Sequence, residues 1–282
     1  MIKFYKPLII AEIGLSHNGN LKKALKLIQL SKKSGADVVK FQTHFAIFES
    51  TLDEPFRIKV SKYKNRYDYW KKTEFTKSQW KIIIQFCKKI KIIFATSPFS
   101  VEAVKILRNL GCKNWKIGSG EVFSDWIINE ILKKKDDGLI VSSGMSTWDD
   151  LKKNYELIKN KKGKNFAMLQ CTSEYPSSLK KVGLNVITEM KKKFSCHVGL
   201  SDHTGSIFPS IAALSLGAEL IEVHVCTSKK LKGVDINSSV TFKELKIICK
   251  ARNSIFQMKQ HPVNKDKLSI TQKENKKIFG KS

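Results

Sequence analysis

Residues 20–44 read NLKKALKLIQLSKKSGADVVKFQTH, a pattern that predicts a helix followed directly by a buried strand. Leu21, Leu25 and Ile28 fall on one face of a helix, and Gly35 is a typical residue for ending it. The run DVVKFQT at 37–43 is then rich in apolar residues, as strands buried on both faces of a parallel sheet are. Because strands that alternate with helices pair in parallel through crossovers, this unit predicts an α/β fold.

The same alternation recurs along the chain and gives eight strand-like runs. Helical spacing of apolar residues lies between them, for example in SVEAVKILRNLG at 100–111. Eight such units predict a closed (β/α)₈ TIM barrel over residues 1–257, followed by a short polar tail at 258–282. An open doubly wound sheet is the alternative, but the first loop lacks the GxGxxG phosphate turn of that fold. The predicted strands are LIIAEIG (8–14), DVVKFQT (37–43), KIIFATS (91–97), NWKIGSG (114–120), LIVSSG (139–144), FAMLQCT (166–172), HVGLSD (197–202) and LIEVHV (220–225).

The composition excludes several classes of protein. At 282 residues and 41% hydrophobic residues, the chain can bury a sizeable core. Its six cysteines form no CxxC pair, so neither a disulfide scaffold nor a cysteine zinc site is indicated. No apolar stretch approaches the roughly 20 residues that cross a bilayer, and no secretory signal is recognisable. We therefore expect a cytoplasmic protein without a membrane segment.

The net charge of +27 could indicate nucleic acid, an anionic membrane or an anionic substrate as partner. The lysines are spread along exposed helix faces rather than gathered in one stripe, which favours a solvated basic surface. One segment, FRIKVSKYKNRYDYW at 56–70, interleaves basic and aromatic residues as single-strand nucleic-acid surfaces do. It lies in a long connection between strand and helix, which is more typical of a lid or substrate loop. A nucleic-acid partner is thus the weaker interpretation.

Every predicted strand ends in polar residues, and the carboxyl ends of the strands are where TIM barrels hold their active sites. Lys40 and Lys116 interrupt apolar runs at positions that should be buried, and a buried ammonium needs an anionic partner. Together with hydroxyl groups and the backbone of Gly118 and Gly120, they predict a cradle for a phosphate or carboxylate. Other polar residues after strands are predicted to cap the next helix. These are Ser100, Ser124 and Asp149.

Two histidines follow neighbouring strands of the predicted barrel. His203 comes after the seventh strand and His224 lies at the end of the eighth. With a carboxylate from Glu222, Glu12 or Asp202 nearby, two imidazoles could hold a divalent metal that keeps open positions for substrate. The alternative is that each is an ordinary core histidine, since their spacing in sequence is not itself a metal motif.

Seven stretches, taken in order, resemble the N-acylneuraminate (sialic acid) synthases, and the likeness extends from about Leu8 to Leu245. Members of that family are (β/α)₈ barrels that condense phosphoenolpyruvate with an N-acetylated amino sugar, using a divalent metal such as manganese. The resemblance therefore implies a transferase of sialic acid biosynthesis, with phosphoenolpyruvate and an amino sugar as substrates. The stretches are AEIGLSHNGNLKKAL (11–25), GADVVKFQTH (35–44), FATSPFS (94–100), WKIGSGE (115–121), SSGMST (142–147), CTSEYPSS (171–178) and VGLSDHTG (198–205).

The resemblance also implies roles for individual residues. The metal, Mn²⁺ or else Mg²⁺ or Co²⁺, would be held by His203 and His224. Phosphoenolpyruvate would be bound by Lys40, Ser97, Lys116, Ser119, Ser142 and Ser201. The sugar would face Glu12, Gln42, Tyr175 and Asp235. Proton transfer, or stabilisation of a developing cation, would fall to Glu12 and Glu121.

Two alternatives to this function remain at the level of sequence, a related synthase acting on a phosphorylated sugar and a non-catalytic RNA-binding barrel. The resemblance further implies a homodimer and a small C-terminal antifreeze-like domain, which residues 1–282 do not include. In the family that domain contacts the N-acyl group of the sugar. We therefore expect near-normal affinity for phosphoenolpyruvate and weaker or less selective use of the sugar, unless a separate chain or the basic loop at 56–72 supplies the missing contact. In that loop, Arg57 and Arg66 are the first candidates.

Overall fold

The computed structural model describes residues 5–54 and 63–280 and shows a closed barrel of parallel strands surrounded by helices. Strands β1 to β8 follow one another around the barrel, and β1 pairs with both β2 and β8 to close it. The predicted TIM barrel is confirmed. Its strands are β1 (Leu8–Gly14), β2 (Val38–Thr43), β3 (Ile93–Pro98), β4 (Asn114–Ile117), β5 (Gly138–Ser142), β6 (Ala167–Cys171), β7 (His197–Asp202) and β8 (Leu220–Cys226), with a short ninth strand β9 (Ser239–Thr241) beside β8.

Helices connect the strands and cover the outside of the barrel. The first of them begins at the Asn20 cap and ends at Gly35, whose φ of 96° is the left-handed conformation that glycine adopts without strain. The helices are α1 (Leu21–Ser34), α2 (Ala46–Glu49), α3 (Arg66–Thr73), α4 (Lys77–Lys89), α5 (Val101–Asn109), α6 (Asp125–Leu132), α7 (Trp148–Lys162), α8 (Leu184–Lys193), α9 (Phe208–Ser215), α10 (Phe242–Gln260) and α11 (Ile270–Phe279).

The three predicted helix caps had different outcomes. The Ser100 hydroxyl accepts a hydrogen bond from the Ala103 N–H at 3.1 Å, so this cap is confirmed. Ser124 stands at the start of α6 but makes no side-chain cap bond, and Asp149 lies inside α7. The prediction for Asp149 was wrong because Thr147 forms the capping box of α7 with Asp150.

The core has two parts, one inside the barrel and one between the barrel and its helices. The inner part is a small apolar plug made of alternate strand residues, which fills the amino-terminal half of the barrel. The opposite, carboxyl-terminal half is lined by polar and charged side chains that are nevertheless buried. The fold thus gathers its buried polar and charged side chains at the carboxyl-terminal end of the barrel. The plug consists of Leu8, Ile10, Val38, Ala95, Ile140, Ala167, Leu169 and Leu220, with Ile93 packed against it.

Four elements of the structure were not predicted from the sequence, the helices α2 and α3 in the long connection after β2, the strand β9 and the helix α11. The last barrel helix, α10, runs to Gln260, three residues beyond the predicted boundary at 257. The segment predicted as a polar tail contains α11, whose residues are all exposed. Within residues 5–54 and 63–280, no helix combines the length and apolar character needed to span a membrane.

A buried arginine links the last barrel helix to the first two strands. The Arg252 guanidinium is 2% exposed, donates to the Pro7 carbonyl at 2.7 Å and pairs with Asp37. Replacing Arg252 with Met would leave the Asp37 carboxylate without this partner, so we expect the free energy of unfolding to fall by about 3–5 kcal/mol. Urea denaturation of Arg252→Met measures this, with the exposed Lys250→Met on the same helix as the control. Equal stability of the two variants would contradict the assigned role of Arg252.

Candidate active site

A cavity of about 270 Å³ opens at the carboxyl-terminal end of the barrel. It is the place where strand ends converge in this fold, and most of the residues that line it are polar or charged. The structure brings to this one cavity all the residues for which the family resemblance implies a role, although they come from all eight strand ends and the loops that follow. These are Glu12, Lys40, Gln42, Ser97, Lys116, Ser119, Glu121, Ser142, Tyr175, Ser201, His203, His224 and Asp235.

Four charged side chains form a buried network at the base of the cavity. Lys116 Nζ donates to Glu222 Oε1 at 3.0 Å and to Oε2 at 3.2 Å. Lys40 Nζ lies 2.8 Å from Glu12 Oε2 and 3.8 Å from Glu222 Oε1. Since all four are at most 4% exposed, each charge depends on the others for compensation. Glu222 therefore joins the two lysines that the sequence placed at the barrel mouth.

The two carboxyl groups of this network have opposite pKa shifts. Burial raises the pKa of Glu12, and the ammonium of Lys40 only partly offsets it. Burial also acts to raise the pKa of Glu222, but Lys116 and Lys40 together outweigh it and hold that pKa well below its usual range. Glu12 is thus the more readily protonated of the two carboxyl groups, and such a split between neighbouring carboxyl groups is the arrangement used for acid–base work. Oε1 of Glu12 also has no hydrogen-bond partner among the described residues.

His203 and His224 lie side by side at the cavity, with ring centroids 5.5 Å apart. His203 Nδ1 lies 2.9 Å from the Thr172 carbonyl oxygen, so Nδ1 carries the proton and Nε2 keeps its lone pair. Burial lowers the pKa of His203 to about 3, with His224 adding to the effect, which keeps the imidazole neutral. His224 Nδ1 in turn lies 3.9 Å from Asp235 Oδ2. A neutral imidazole oriented by a carbonyl oxygen is a suitable metal ligand.

The carboxylates suggested as companions of these histidines are placed differently from the prediction. Asp202 accepts from the Thr204 N–H at 2.9 Å and from the Ser210 hydroxyl at 3.2 Å, and it does not line the cavity, so its candidacy was wrong. Glu222 faces the lysines instead. In residues 5–54 and 63–280, no three His, Cys, Asp or Glu side chains meet as a metal site. His203 and His224 are thus the two residues at the cavity that could hold a metal.

Hydroxyl groups surround the lysine side of the cavity. Lys40 Nζ donates to Ser97 Oγ at 3.2 Å, and Ser201 Oγ donates to Glu222 Oε1 at 3.1 Å.

The loop after β5 packs closely on the loop after β4 because Gly144 lacks a side chain and has a φ of 39°. A Cβ on Gly144 would lie 1.8 Å from Ser119 Cβ, so this glycine is required for the two loops to meet.

The outer wall of the cavity is a column of stacked planar groups that the sequence did not reveal. Phe99 stacks on His44 with centroids 4.1 Å apart, and His44 stacks on Trp70 at 3.8 Å. The Arg66 guanidinium lies 5.4 Å from the Trp70 ring and pairs with Glu54 at 2.6 Å. Arg66 was predicted as a possible sugar contact and does line the cavity, whereas Arg57 lies outside the described residues.

This wall bears on the nucleic-acid interpretation of residues 56–70. In the described part of that segment, Tyr69 and Trp70 line the cavity and pack on one another at 5.0 Å. Their rings serve the wall of the cavity rather than an extended exposed surface. For Tyr69 and Trp70, the aromatic part of the pattern is thus accounted for by their place in the cavity wall.

Sequence comparison identifies the family. The NeuB family matches residues 27–264, which is most of the chain. The chain belongs to the NeuB family. Among NeuB relatives, the N,N'-diacetyllegionaminic acid synthase of Campylobacter jejuni is 37% identical over 86% of this chain and 75% of its own length. The human N-acetylneuraminate-9-phosphate synthase is 35% identical over 84% of this chain and 67% of its own length.

Structural comparison agrees with this membership. A crystal structure of the N-acetylneuraminic acid synthetase of Leptospira borgpetersenii, in complex with citrate, superposes with a TM-score of 0.81 at 26% identity. The match covers 97% of this chain and 91% of that one. The family predicted from seven sequence motifs is therefore confirmed, together with the barrel that NeuB proteins of this kind share.

Proposed function

We propose that this chain condenses phosphoenolpyruvate with an N-acetylated amino sugar to give a sialic-acid-like nine-carbon 2-keto acid and phosphate. The observation that carries the proposal is the cavity, where two buried lysines and two adjacent imidazoles open into one polar space. The NeuB family match and the names of the relatives support the same class of reaction. N-acetylmannosamine and a 2,4-diacetamido sugar are the candidate acceptors.

Phosphoenolpyruvate would bind at the base of the cavity, where Lys40 and Lys116 lie. Both ammonium groups already face Glu222, so an anionic substrate would share or replace this carboxylate as their partner. Charge-assisted hydrogen bonds of this kind are about twice as strong as neutral ones. Donors around the two lysines complete the proposed anion site. They are the hydroxyl groups of Ser97, Ser119, Ser142 and Ser201.

A divalent metal, with manganese as the first choice, would be held by His203 and His224. Their neighbouring rings, and the free Nε2 of His203, fit such a group. When bound, the metal would act as a Lewis acid on the carbonyl oxygen of the second substrate. The protein's own contribution is to hold the two imidazoles in position, His203 through the Thr172 carbonyl and His224 beside Asp235.

Proton transfer is assigned to Glu12, with Glu121 as the second candidate. In the proposed reaction the methylene carbon of phosphoenolpyruvate bonds to the aldehyde carbon of the opened sugar. Water then adds to the carbon that still bears the phosphate ester and gives up a proton. Phosphate leaves as the 2-keto group forms. Glu12 is suited to deliver a proton to the sugar oxygen because burial raises its pKa and its Oε1 is unpartnered. Gln42, Tyr175 and Asp235 line the cavity around the proposed sugar position.

Phosphate release tests the proposal and its main rival. We expect the purified protein to release phosphate from phosphoenolpyruvate only when manganese and an unphosphorylated N-acetylated sugar are both present, and chelation by EDTA should stop the release. Phosphate release only with a phosphorylated sugar would support the rival synthase, the activity for which the human relative is named. No release with any sugar, or release without one, would contradict the proposal.

A homodimer and a cytoplasmic location stay predictions, and sedimentation velocity tests the dimer.

A further inference from the structure

Strand β2 and the residue that follows it direct three side chains into the cavity, each nearer its opening than the one before. Lys40, Gln42 and His44 are spaced by two residues, so they share one face of the extended chain, and all three line the cavity. Lys40 is deepest, in the charged network with Glu12. A small anion reaches that layer, while the larger second substrate must fill the layers above it. Gln42 and His44 are thus on the side from which the sugar enters.

The His44 ring is held in one orientation by contacts on both of its faces and at one edge. Its ring lies between Trp70 and Phe99, with interplanar angles of 4° and 17°. Nδ1 is 3.0 Å from each carboxylate oxygen of Glu49, which is itself buried. Because the ring is stacked on both faces and bonded at one edge, it cannot rotate. The direction in which Nε2 points is therefore fixed.

Nε2 of His44 points at the side chain of Gln42. It lies 3.5 Å from Gln42 Oε1. Since Nδ1 faces the Glu49 carboxylate, Nε2 donates to this amide oxygen when the ring carries both protons. The amide oxygen of Gln42 is thus turned toward His44, and its NH₂ group is turned the other way. A Cβ built on Gly14 would lie 3.7 Å from Gln42 Nε2, 3.3 Å from Glu12 Oε1 and 3.7 Å from His224 Cε1. The NH₂ group therefore faces the space shared by the proposed acid and a proposed metal ligand.

We propose that His44 is a positioning residue for the amino sugar, which acts by fixing the Gln42 amide so that its NH₂ group donates to an acceptor oxygen of the sugar. This inference rests on the proposed condensation, since it assigns the upper part of the cavity to the second substrate. Glu49 orients His44, and His44 orients Gln42. The lysine layer below is not part of this chain of contacts, so phosphoenolpyruvate binding does not depend on it.

Two substitutions of His44 separate the two nitrogens. In His44→Asn the side-chain NH₂ falls near the position of Nδ1, so the hydrogen bond to Glu49 is kept and the donor to Gln42 is lost. In His44→Gln the NH₂ falls near the position of Nε2, so the donor to Gln42 is kept and the hydrogen bond to Glu49 is lost. We expect His44→Asn to lower kcat/KM for the sugar roughly ten- to hundredfold through KM, with KM for phosphoenolpyruvate unchanged. His44→Gln should lose less. A role limited to holding Glu49 and the fold predicts the opposite order.

Two further variants complete the experiment. His197→Asn alters a histidine that also pairs with a carboxylate, Glu219 at 2.9 Å, but lies at the start of β7, away from the cavity, and it should leave both KM values unchanged. In a Gln42→Ala background, His44→Asn should cause no further loss, because His44 acts through Gln42. Additive losses, a parallel change in both KM values, or normal kinetics of His44→Asn would overturn the inference while leaving the condensation in place. A wild-type protein that uses no amino sugar would instead overturn the proposed function.

Discussion

Replacing Lys116 with Met is expected to remove condensation activity almost completely. The substrate would lose a charge-assisted hydrogen bond of about 1.5–3 kcal/mol, which lowers kcat/KM for phosphoenolpyruvate roughly ten- to hundredfold by itself. The structure adds a second effect, because Glu222 would lose the ammonium that lies 3.0 Å away and become free to pair more closely with Lys40. Both lysines would then be lost to the substrate. Steady-state kinetics with varied phosphoenolpyruvate measures the loss.

Stability must be measured beside activity, because the Lys116 substitution leaves a buried carboxylate short of charge compensation. Breaking a buried ion pair from one side costs about 3–5 kcal/mol, whereas replacing both partners costs much less. The matched control is Lys116→Met combined with Glu222→Gln, which should recover much of the stability without recovering activity. Unchanged kinetics in Lys116→Met would remove this lysine from the site. Recovery of activity in the double variant would show that Lys116 acts on the fold alone.

Replacing either His203 or His224 with Ala is expected to reduce activity below detection. Each variant would leave one imidazole for the metal. Among the described residues, the two histidines do not belong to a larger group of His, Cys, Asp or Glu side chains that could replace the lost ligand. The fold should be largely retained, since the side chains lie at the cavity and the apolar plug lies at the other end of the barrel. Manganese binding, followed by electron paramagnetic resonance of the free ion, gives a readout independent of turnover and should weaken in parallel.

His203→Asn refines this test by keeping one contact of His203. Its side-chain NH₂ can still donate to the Thr172 carbonyl, as Nδ1 of the histidine does at 2.9 Å, but it supplies no lone pair at the position of Nε2. Activity and manganese binding should be lost with near-normal thermal stability. His261→Ala, on the exposed end of α10, is the control. If His203→Ala unfolds while the surviving protein binds manganese normally, His203 is a core histidine.

The sequence was most informative about the barrel, for a physical reason. Parallel strands covered by helices on one face and plugged on the other must be apolar nearly throughout, so runs such as LIEVHV are recognisable without any tertiary information. A polar residue in such a run, as Lys40 or Lys116 is, requires a special environment. The same argument explains why the residues at the strand ends were predicted to converge and do line one cavity.

Contacts between side chains on opposite sides of the barrel could not be predicted from the sequence. Glu222 was one of three carboxylates interpreted as possible companions of the histidines. In the structure it pairs with Lys116 of β4, on the far side of the barrel. Local spacing indicates which face a side chain takes, but the distance across a closed barrel depends on strand tilt and stagger, which no local pattern contains.

The stacked wall was missed for a similar reason. His44 and Phe99 follow different strands, and Trp70 lies on a helix within a long connection, so their contact depends on how that connection folds back. The pattern of basic and aromatic residues at 56–70 was visible and favoured a lid or substrate loop over a nucleic-acid surface, but it did not show which side chains the lid contacts. The FQTH motif at 41–44 was the available signal, since His44 continues the face that carries Lys40 and Gln42.

The step that defines the proposed function is the formation of a carbon–carbon bond between phosphoenolpyruvate and an amino sugar. The most direct measurement is carbon NMR of the products formed from phosphoenolpyruvate carrying a carbon-13 label at its methylene carbon, with manganese and N-acetylmannosamine or a 2,4-diacetamido sugar. Condensation predicts that the label appears in a saturated CH₂ group bonded to a sugar-derived carbon, in a product heavier than the sugar by one pyruvate unit. A label found in the methyl group of pyruvate, with the sugar unchanged, would show hydrolysis instead and contradict the account.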